Sequence, residues 1–336
     1  MASSTESVAG PPLTVTVAVC TRDRPEDLAR CLDALEAVRY PALELLVVDN
    51  APATRDSERL VLARPGVRYV RELQPGLDWA RNCAIREAGG EILAFTDDDV
   101  VVDPDWVSAL AAVFREDPDA GAVTGLVVAL ELETRAQHLF ETYRSFARGP
   151  TRMRAVAAGG PVAARYGATG SFGTGANMAF RRRLLEELGG FDPCLGAGTP
   201  TRGGDDLDML FRVLKAGHAL VYEPGAVVRH RHRRAMFALT GQIRDHGISF
   251  SSYVVRSMAA YPDERWAFIK LWAWWVGKTC YRLARPKAAP AAPMRRLALA
   301  ELSGLVRGLG RYRRARAALA SSPPVGAPQP AVREAS

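Results

Sequence analysis

The sequence predicts an α/β protein with a mostly parallel central sheet flanked by helices. The first observation is that, over residues 13–95, short apolar or β-branched runs alternate with stretches whose apolar residues recur at helical spacing. This β-α-β-α-β-α-β order is typical of parallel sheets with right-handed crossovers. The second observation is that the predicted strands end in polar residues, and open parallel sheets bind their ligands at that edge.

The first strand and helix show the pattern. Residues 13–20 are apolar and β-branched, as in a buried strand, and a polar loop follows. Pro25 suits the first turn of a helix at 26–38, where apolar residues recur every three or four positions. The other elements predicted in this half are strands at 43–48, 67–70 and 92–95 and helices at 57–63 and 76–88.

The rest of the chain is predicted in the same way, and its character changes after Ala235. Up to that point we expect helices at 103–114, 131–146, 181–188 and 205–216, strands at 122–130, 219–222 and 226–228, and irregular chain at 150–168. Beyond it we expect helices at 236–259, 265–283 and 294–320, with a break at 286–293. Residues 321–336 are rich in Pro and Ala and are predicted to be disordered.

Three consecutive carboxylates, Asp97, Asp98 and Asp99, follow the apolar strand 92–95. Adjacent charges at the end of a buried strand need a positive partner, and a hard divalent cation is the natural one. Side chains alternate along an extended chain, so Asp97 and Asp99 should point one way and Asp98 the other. The alternative interpretation is a solvated acidic turn.

Composition narrows the classes of protein. The chain has 336 residues, 48% of them hydrophobic and 24% charged, with a net charge of +7. Five scattered cysteines without CxxC spacing predict neither a zinc site nor a disulfide framework, so we expect a reducing, cytoplasmic compartment. The start has no signal-peptide pattern, and no apolar run is long enough to span a membrane. A G-x-G-x-x-G after the first strand and a Walker A loop are both absent.

Taken together, seven short motifs resemble family 2 glycosyltransferases with the GT-A fold. They are residues 19–24 (VCTRDR), 46–50 (LVVDN), 76–82 (GLDWARN), 95–99 (FTDDD), 173–180 (GTGANMAF), 190–192 (GFD) and 203–208 (GGDDLD). The resemblance covers about residues 14–235 and implies a cytosolic enzyme that moves a sugar from a nucleotide-diphosphate donor to an acceptor hydroxyl, with inversion. It implies a nucleotide-sugar-binding half at 13–125 and an acceptor-side half at 126–235. Outside these halves, composition and spacing predict a flexible start at 1–12, a basic and aromatic helical region at 236–320 and a disordered tail at 321–336.

The resemblance also implies roles on the donor side. Mg²⁺ or Mn²⁺ would be held by Asp97 and Asp99, with Asp98 and Asp99 as the alternative pair and His230 completing the set. His230 follows Asp206 by 24 residues, and the nearby His232 competes for this role. The residues expected to bind the nucleotide sugar are Thr21, Arg22, Asp49, Arg81, Asp97 and Asp98. UDP is the first expectation for the nucleotide, with GDP and dTDP open. For Arg81 the alternative is an exposed helix arginine.

On the acceptor side, the resemblance implies that Asp206 is the general base. The family usually carries Glu-Asp at this point, and this chain has Asp205-Asp206, which leaves open which of the two acts. Gly173, Gly175 and Asn177 would form the acceptor-side wall, and the alternative is a tight strand crossing. The acceptor, a glycan, a lipid-linked sugar or a natural product, is not identified by the sequence.

The carboxyl-terminal helices have two interpretations. They either form a packed helical region with a charged exterior, or they bring the enzyme to the inner face of a membrane as a peripheral protein. No nucleic-acid-binding module accompanies the basic charge, so we expect no nucleic-acid partner. Two other functions remain as alternatives: a nucleotide-sugar-binding or scaffolding protein without turnover, and a nucleotidyltransferase. The latter is disfavoured because loop 21–25 contains no glycine.

Overall fold

A computed structural model describes residues 11–157, 162–285 and 291–321. The strands are β1 (Val15–Thr21), β2 (Leu43–Asn50), β3 (Val67–Glu72), β4 (Ile92–Asp97), β5 (Val100–Val102), β6 (Ala120–Ala129), β7 (Met153–Ala155), β8 (Asn177–Arg181) and β9 (Ala219–His230). The helices are α1 (Pro25–Glu36), α2 (Asp56–Leu62), α3 (Leu77–Glu87), α4 (Trp106–Glu116), α5 (Arg135–Arg144), α6 (Val162–Tyr166), α7 (Arg182–Glu187), α8 (Asp205–Lys215), α9 (Met236–Ala260), α10 (Arg265–Ala284), α11 (Ala291–Gly308) and α12 (Arg311–Ser321).

The strands form one sheet in the order β3-β2-β1-β4-β8-β6-β9-β5, with β7 paired to β9. β3, β2, β1 and β4 run parallel to one another, as their alternation with helices predicts. β8 runs antiparallel to both β4 and β6, and the short β5 runs antiparallel to β9. The predicted α/β class is therefore confirmed, and the parallel strand ends lie at one edge of the sheet.

Both faces of the sheet are covered. Strand residues that point to one face pack with α1 and α4, where Leu28, Leu32 and Trp106 are fully buried. Residues that point to the other face pack with α3, α7 and α8 and continue into α9 and α10, where Tyr253 and Phe268 are buried. This arrangement explains why the strands are apolar on both sides and alternate little in sequence.

Several predicted boundaries differ from the structure. The single helix predicted at 294–320 is two helices, because the chain turns between Gly308 and Arg311. The strands predicted at 219–222 and 226–228 form one strand, β9, with an irregular register against β6 at Gly125. The region 150–168 contains β7 and the short helix α6. The predicted disorder of 322–336, the flexible start up to residue 10 and part of the predicted break (286–290) lie outside the described residues.

The carboxyl-terminal helices pack closely onto the α/β part. α9 and α11 meet at Gly247 and Gly304, where a side chain on either residue would overlap the backbone of the other helix. α10 buries Phe268 but leaves Trp266 73% and Trp274 55% exposed. Across the described ranges, no helix is long and apolar enough to cross a membrane. Contact of α10 with a membrane surface stays a prediction.

Candidate functional site

The end of β4 and the end of β9 build a cluster of possible metal ligands. β4 ends at Asp97, and after the two turn residues Asp98 and Asp99 the chain enters β5, which pairs with β9 so that Val100 lies opposite His230. The Arg231 N–H donates to the Asp99 carbonyl over 3.1 Å, which fixes this pairing. Oxygens of Asp97 and Asp99 and a ring nitrogen of His230 consequently lie within 4.8 Å of one another.

Asp98 is not part of this cluster, although Asp98 and Asp99 lie in the turn between β4 and β5 and not in the extended chain that the sequence predicts. Its carboxylate accepts a hydrogen bond from Thr21 Oγ1 at 2.8 Å and one from Arg24 Nη1 at 2.5 Å. Arg24 also contacts Asp99 at 3.0 Å. Of the two carboxylate pairs that the sequence left open, the structure brings Asp97 and Asp99 together with His230.

The donor set fits a divalent cation such as Mg²⁺ or Mn²⁺, because it combines carboxylate oxygens with one imidazole. Burial lowers the pKa of His230 to about 4, so its ring is neutral at physiological pH and has a lone pair to offer. Burial and the neighbouring Asp99 raise the pKa of Asp97 to about 6. A cation would remove the repulsion between these two buried carboxylates.

His232 contacts this cluster through His230. Its Nδ1 lies 3.1 Å from Nδ1 of His230, and its Nε2 lies 2.6 Å from a carboxylate oxygen of Glu141. His232 is only 2% exposed and packs against Phe140. The two histidines thus occupy different positions: Nε2 of His230 lies 3.4 Å from Asp99, whereas His232 contacts His230 and Glu141.

Asp97 and Asp206 line the same cavity, which has a volume of about 550 Å³. Asp206 is in the first turn of α8, directly after the tight Gly203-Gly204 loop. The Gly204 φ of 97° is a left-handed conformation that suits glycine. The Gly175 N–H donates to Asp206 Oδ2 over 3.0 Å, so the carboxylate is held at the cavity surface. Asp97 of the acidic triplet and the later pair Asp205 and Asp206 therefore line one cavity, whereas Asp98 and Asp99 are not among its lining residues.

Asp205 and Asp206 have different surroundings. Asp205 is buried and forms an ion pair with Arg81, whose guanidinium also lies 3.7 Å from Asp78. Arg81 is 3% exposed and lies against the ring of Phe191, with 5.3 Å to the centroid. Arg81 is thus not an exposed helix arginine, and Asp205 is engaged by it.

The strand ends β1 and β2 carry the residues expected beside the nucleotide. Asp49 is fully buried and accepts a hydrogen bond from the Tyr69 hydroxyl at 3.0 Å. Its Oδ1 is buried and has no hydrogen-bond partner among the described residues, so a ligand donor would satisfy it. Thr21 is engaged by Asp98, and Arg22 is exposed, 3.6 Å from Asp23.

The expected acceptor-side wall is partly corrected. Gly173 and Gly175 line the cavity, and an added Cβ at Gly175 would lie 2.8 Å from Arg81 Nη2. Asn177 does not line the cavity. Its side chain is fully buried, accepting from Trp106 Nε1 at 2.8 Å and donating to the Ala226 carbonyl at 2.8 Å. Asn177 is therefore a structural residue that ties β8 to α4 and β9.

One part of the cavity comes from later elements that carry no predicted site residue. Arg144 at the end of α5, Arg148 in the following loop, His246 of α9 and Trp275 of α10 all line it. The only signal was the crowding of basic and aromatic residues in the predicted helix 265–283, which fits either a packed helical region with a charged exterior or a membrane-surface helix and does not indicate a cavity wall. These residues are too far apart in sequence for any local pattern to unite them.

Comparison with known proteins agrees with this geometry. A family model described as "Glycosyltransferase like family 2" matches residues 11–245. Succinoglycan biosynthesis protein ExoM of Rhizobium meliloti is 31% identical over 231 residues, 64% of this chain and 66% of that protein. Glucosyl-dolichyl phosphate glucuronosyltransferase of Haloferax volcanii is 23% identical over 232 residues, 65% of this chain and 69% of that protein. Pre-mycofactocin glycosyltransferase of Mycobacterium tuberculosis is 26% identical over 252 residues, 74% of this chain but only 48% of that protein, so the chain spans about half of this relative.

Solved structures show the same fold. Mannosyltransferase PcManGT from Pyrobaculum calidifontis, solved in complex with GDP-Man and Mn²⁺, superposes with a TM-score of 0.60 at 20% identity, covering 89% of this chain and 88% of that one. S. aureus TarS superposes with a TM-score of 0.54 at 12% identity, covering 92% and 91%. The solved structures show the GT-A fold, and the match over residues 11–245 shows that this chain belongs to glycosyltransferase family 2, a family of sugar-transferring enzymes.

Proposed function

We propose that this glycosyltransferase moves a sugar from a nucleoside-diphosphate donor to an acceptor hydroxyl with inversion, assisted by Mg²⁺ or Mn²⁺. The observation that carries the proposal is that Asp97 and Asp206 line one cavity. A ligand of the cation and the general base must both lie near the same bound sugar, and this shared cavity meets that requirement. A base that takes the proton from the attacking hydroxyl supports a single displacement, which inverts the sugar carbon.

Asp97, Asp99 and His230 would hold the cation. When bound, it would neutralise the negative charge that develops on the leaving nucleoside diphosphate. Asp49 would accept from the nucleotide base through its unpartnered Oδ1, with Thr21 and Arg22 nearby at the same strand ends. UDP is the first candidate for the nucleotide, and GDP and dTDP are the others. Relatives differ in their donors, and PcManGT was solved with GDP-Man.

Asp206 would be the general base, and Asp205 would position it. Asp205 is committed to the buried ion pair with Arg81, whereas Asp206 lies at the cavity surface. Gly173 and Gly175 would give the acceptor close access to the backbone beside Asp206. Arg81 would shape the donor side of the cavity through its contact with Asp205.

The test is donor turnover by the purified protein. UDP-, GDP- and dTDP-sugars are supplied with Mn²⁺ or Mg²⁺, and release of the nucleoside diphosphate is measured. We expect release with one nucleotide class and a loss on the order of 10²-fold in Asp99→Asn. Asp105→Asn is the matched control, since Asp105 is an exposed aspartate paired with Arg39 on the surface.

The outcome also separates the alternatives. Metal-dependent binding of a nucleotide sugar without release in the presence of any acceptor would indicate a binding or scaffolding protein. Release of pyrophosphate from a nucleoside triphosphate would indicate a nucleotidyltransferase. No metal-dependent binding of any donor would contradict the proposal.

A further inference from the structure

The part of the cavity formed by later elements is cationic. We call Arg144, Arg148, Lys278 and Arg282 the basic wall; they come from α5, the loop after it, and α10, and all four line the cavity. Among the described lining residues, the only carboxylates are Asp97, Asp205 and Asp206. Among the described residues, Asp205 pairs with Arg81, and no ion pair joins these three carboxylates to Arg144, Arg148 or Arg282.

The three arginines of the basic wall keep a net positive charge after their contacts with the described residues are counted. One buried carboxylate, Glu301, lies 2.6 Å from Arg144 and 3.3 Å from Arg282, so a single negative charge serves two guanidinium groups. Arg148 donates to main-chain carbonyls, at 2.8 Å to Gly170 and 2.8 Å to Ser145, which neutralise no charge. A cationic surface of this kind attracts an anionic ligand.

Asp206 lines the same cavity as the basic wall. Arg148 of the wall donates to the Gly170 carbonyl over 2.8 Å, and the side chain of Leu207, the residue after Asp206, would lie 3.0 Å from a Cβ at Gly170. A molecule whose hydroxyl meets Asp206 in this cavity is therefore within reach of the basic wall.

Two further groups point to a ligand at this wall. Nδ1 of His246, which lines the cavity, is buried and has no hydrogen-bond partner among the described residues. Lys278 lies over the rings of Trp274 and Trp275, at 4.7 Å and 5.3 Å from their centroids. The wall thus combines positive charge, an unsatisfied ring nitrogen and exposed aromatic surface.

We propose that the basic wall is the acceptor subsite and that the acceptor of this enzyme carries a phosphate group. The proposal rests on the function proposed above, because it takes Asp206 as the base that meets the acceptor hydroxyl. The guanidinium groups would hold the phosphate oxygens, and the aromatic rings would pack against the apolar or sugar part of the same molecule.

Binding to the full-length protein without donor or metal tests this. Octyl phosphate and the uncharged octyl glucoside are titrated while tryptophan fluorescence is followed. We expect octyl phosphate to bind more tightly, with an affinity that falls as salt is added. Lys278→Gln should weaken octyl phosphate binding about tenfold, as expected for one charge-assisted contact, and Lys278→Arg should restore it.

The matched control is Lys270→Gln, since Lys270 is an exposed lysine of the same helix that does not line the cavity. Equal affinity of the Lys278→Gln and Lys270→Gln variants for octyl phosphate would overturn the proposal. A Lys278→Gln variant that loses nucleoside-diphosphate binding instead would also overturn the proposal, because the wall would then belong to the donor site.

A vesicle experiment distinguishes two kinds of acceptor. Binding to phosphatidylglycerol vesicles as well as to octyl phosphate would identify a lipid-borne phosphate, and binding to octyl phosphate alone would identify a water-soluble phosphate ester. Both results support the proposal. Asp99→Asn should leave octyl phosphate binding intact, so failure of donor turnover and failure of this subsite give different results.

Discussion

At the scale of single residues, a substitution at Asp206 should slow sugar transfer without weakening nucleotide binding. We expect Asp206→Asn to lower the rate of sugar transfer about 10²–10⁴-fold, because the amide cannot take the proton of the acceptor hydroxyl. Nucleotide binding should persist, since Asp97, Asp99 and His230 are unchanged. The two quantities are measured as kcat and as the nucleotide-induced rise in Tm.

Asp263→Asn serves as the control for this prediction, because Asp263 is exposed and does not line the cavity. Transfer at an undiminished rate in the Asp206→Asn variant would move the role of base to another group. Asp205 would then be the next candidate, despite its ion pair with Arg81.

Asp78 should make stability depend on pH. It is 1% exposed and both its oxygens lack hydrogen-bond partners among the described residues. Burial raises its pKa well above the ordinary value of 3.8. The folded state therefore holds this proton more tightly than the unfolded chain, so the contribution is favourable at low pH and is lost as pH rises above 3.8.

Asp78→Asn removes this titration. We expect the free energy of unfolding of the variant, minus that of the parent, to increase as the pH rises from 5 to 8. Urea denaturation at each pH measures this difference. Asp119→Asn, at a side chain that is 81% exposed, is the control. A relative stability of Asp78→Asn that falls over this range would contradict the assignment.

Residue patterns identified the candidate metal ligands better than the cavity walls. The grouping of Asp97 with Asp99 agrees with the sequence expectation, but strand alternation is not its cause, because Asp98 and Asp99 lie in a turn and Asp98 is held by Thr21 and Arg24. The sequence could not decide between Asp205 and Asp206, because the deciding partner, Arg81, comes from a different helix. For the same reason Asn177 was misassigned: its partners Trp106 and Ala226 are distant in sequence.

At the scale of elements, the parallel half of the sheet was predictable and the antiparallel half was not. Strands β1 to β4 alternate with helices, and that order alone implies their topology. β5 has only three residues, which are too few to show the alternating pattern of a strand. Yet its pairing with β9 places His230 beside Asp99.

The contact between α9 and α11 yields a prediction of its own. A Cβ at Gly304 would overlap the backbone of α9 at Arg244, so Gly304→Ala should force the helices apart and destabilise the protein by about 1–3 kcal/mol. At Gly277 of α10 a Cβ meets nothing within 4 Å. Gly277→Ala should therefore stabilise the protein by about 0.5–1 kcal/mol, through helix propensity.

Both variants are compared by urea denaturation. Opposite signs are the expected result, since the substitution is chemically the same and only the surroundings differ. Equal effects at the two glycines would mean that α9 and α11 are not in the close contact described here.

At the scale of the whole molecule, the sheet and the carboxyl-terminal helices share one core. Phe180 of β8, Tyr253 of α9 and Phe268 of α10 belong to the same buried cluster. We expect one cooperative unfolding transition, with tryptophan fluorescence and far-ultraviolet circular dichroism coinciding in urea. The six tryptophans report on both regions, since Trp79 and Trp106 lie in the α/β part and the other four in α10.

Two separated transitions would instead show that residues 236–320 unfold independently of residues 13–235. That outcome would agree with the segment boundaries expected from the sequence. It would contradict the continuous core seen in the structure.

The pairing of β5 with β9 has a consequence for how the protein is made. Asp97 and Asp99 precede His230 by more than a hundred residues, so the ribosome synthesises both carboxylates long before the histidine. Until β9 emerges and adds to the sheet, the nascent chain lacks the third donor and the strand that holds Asp99 in place. Capture of the cation would then mark the completion of the sheet, and an unfinished chain would be poorly able to sequester either metal or nucleotide.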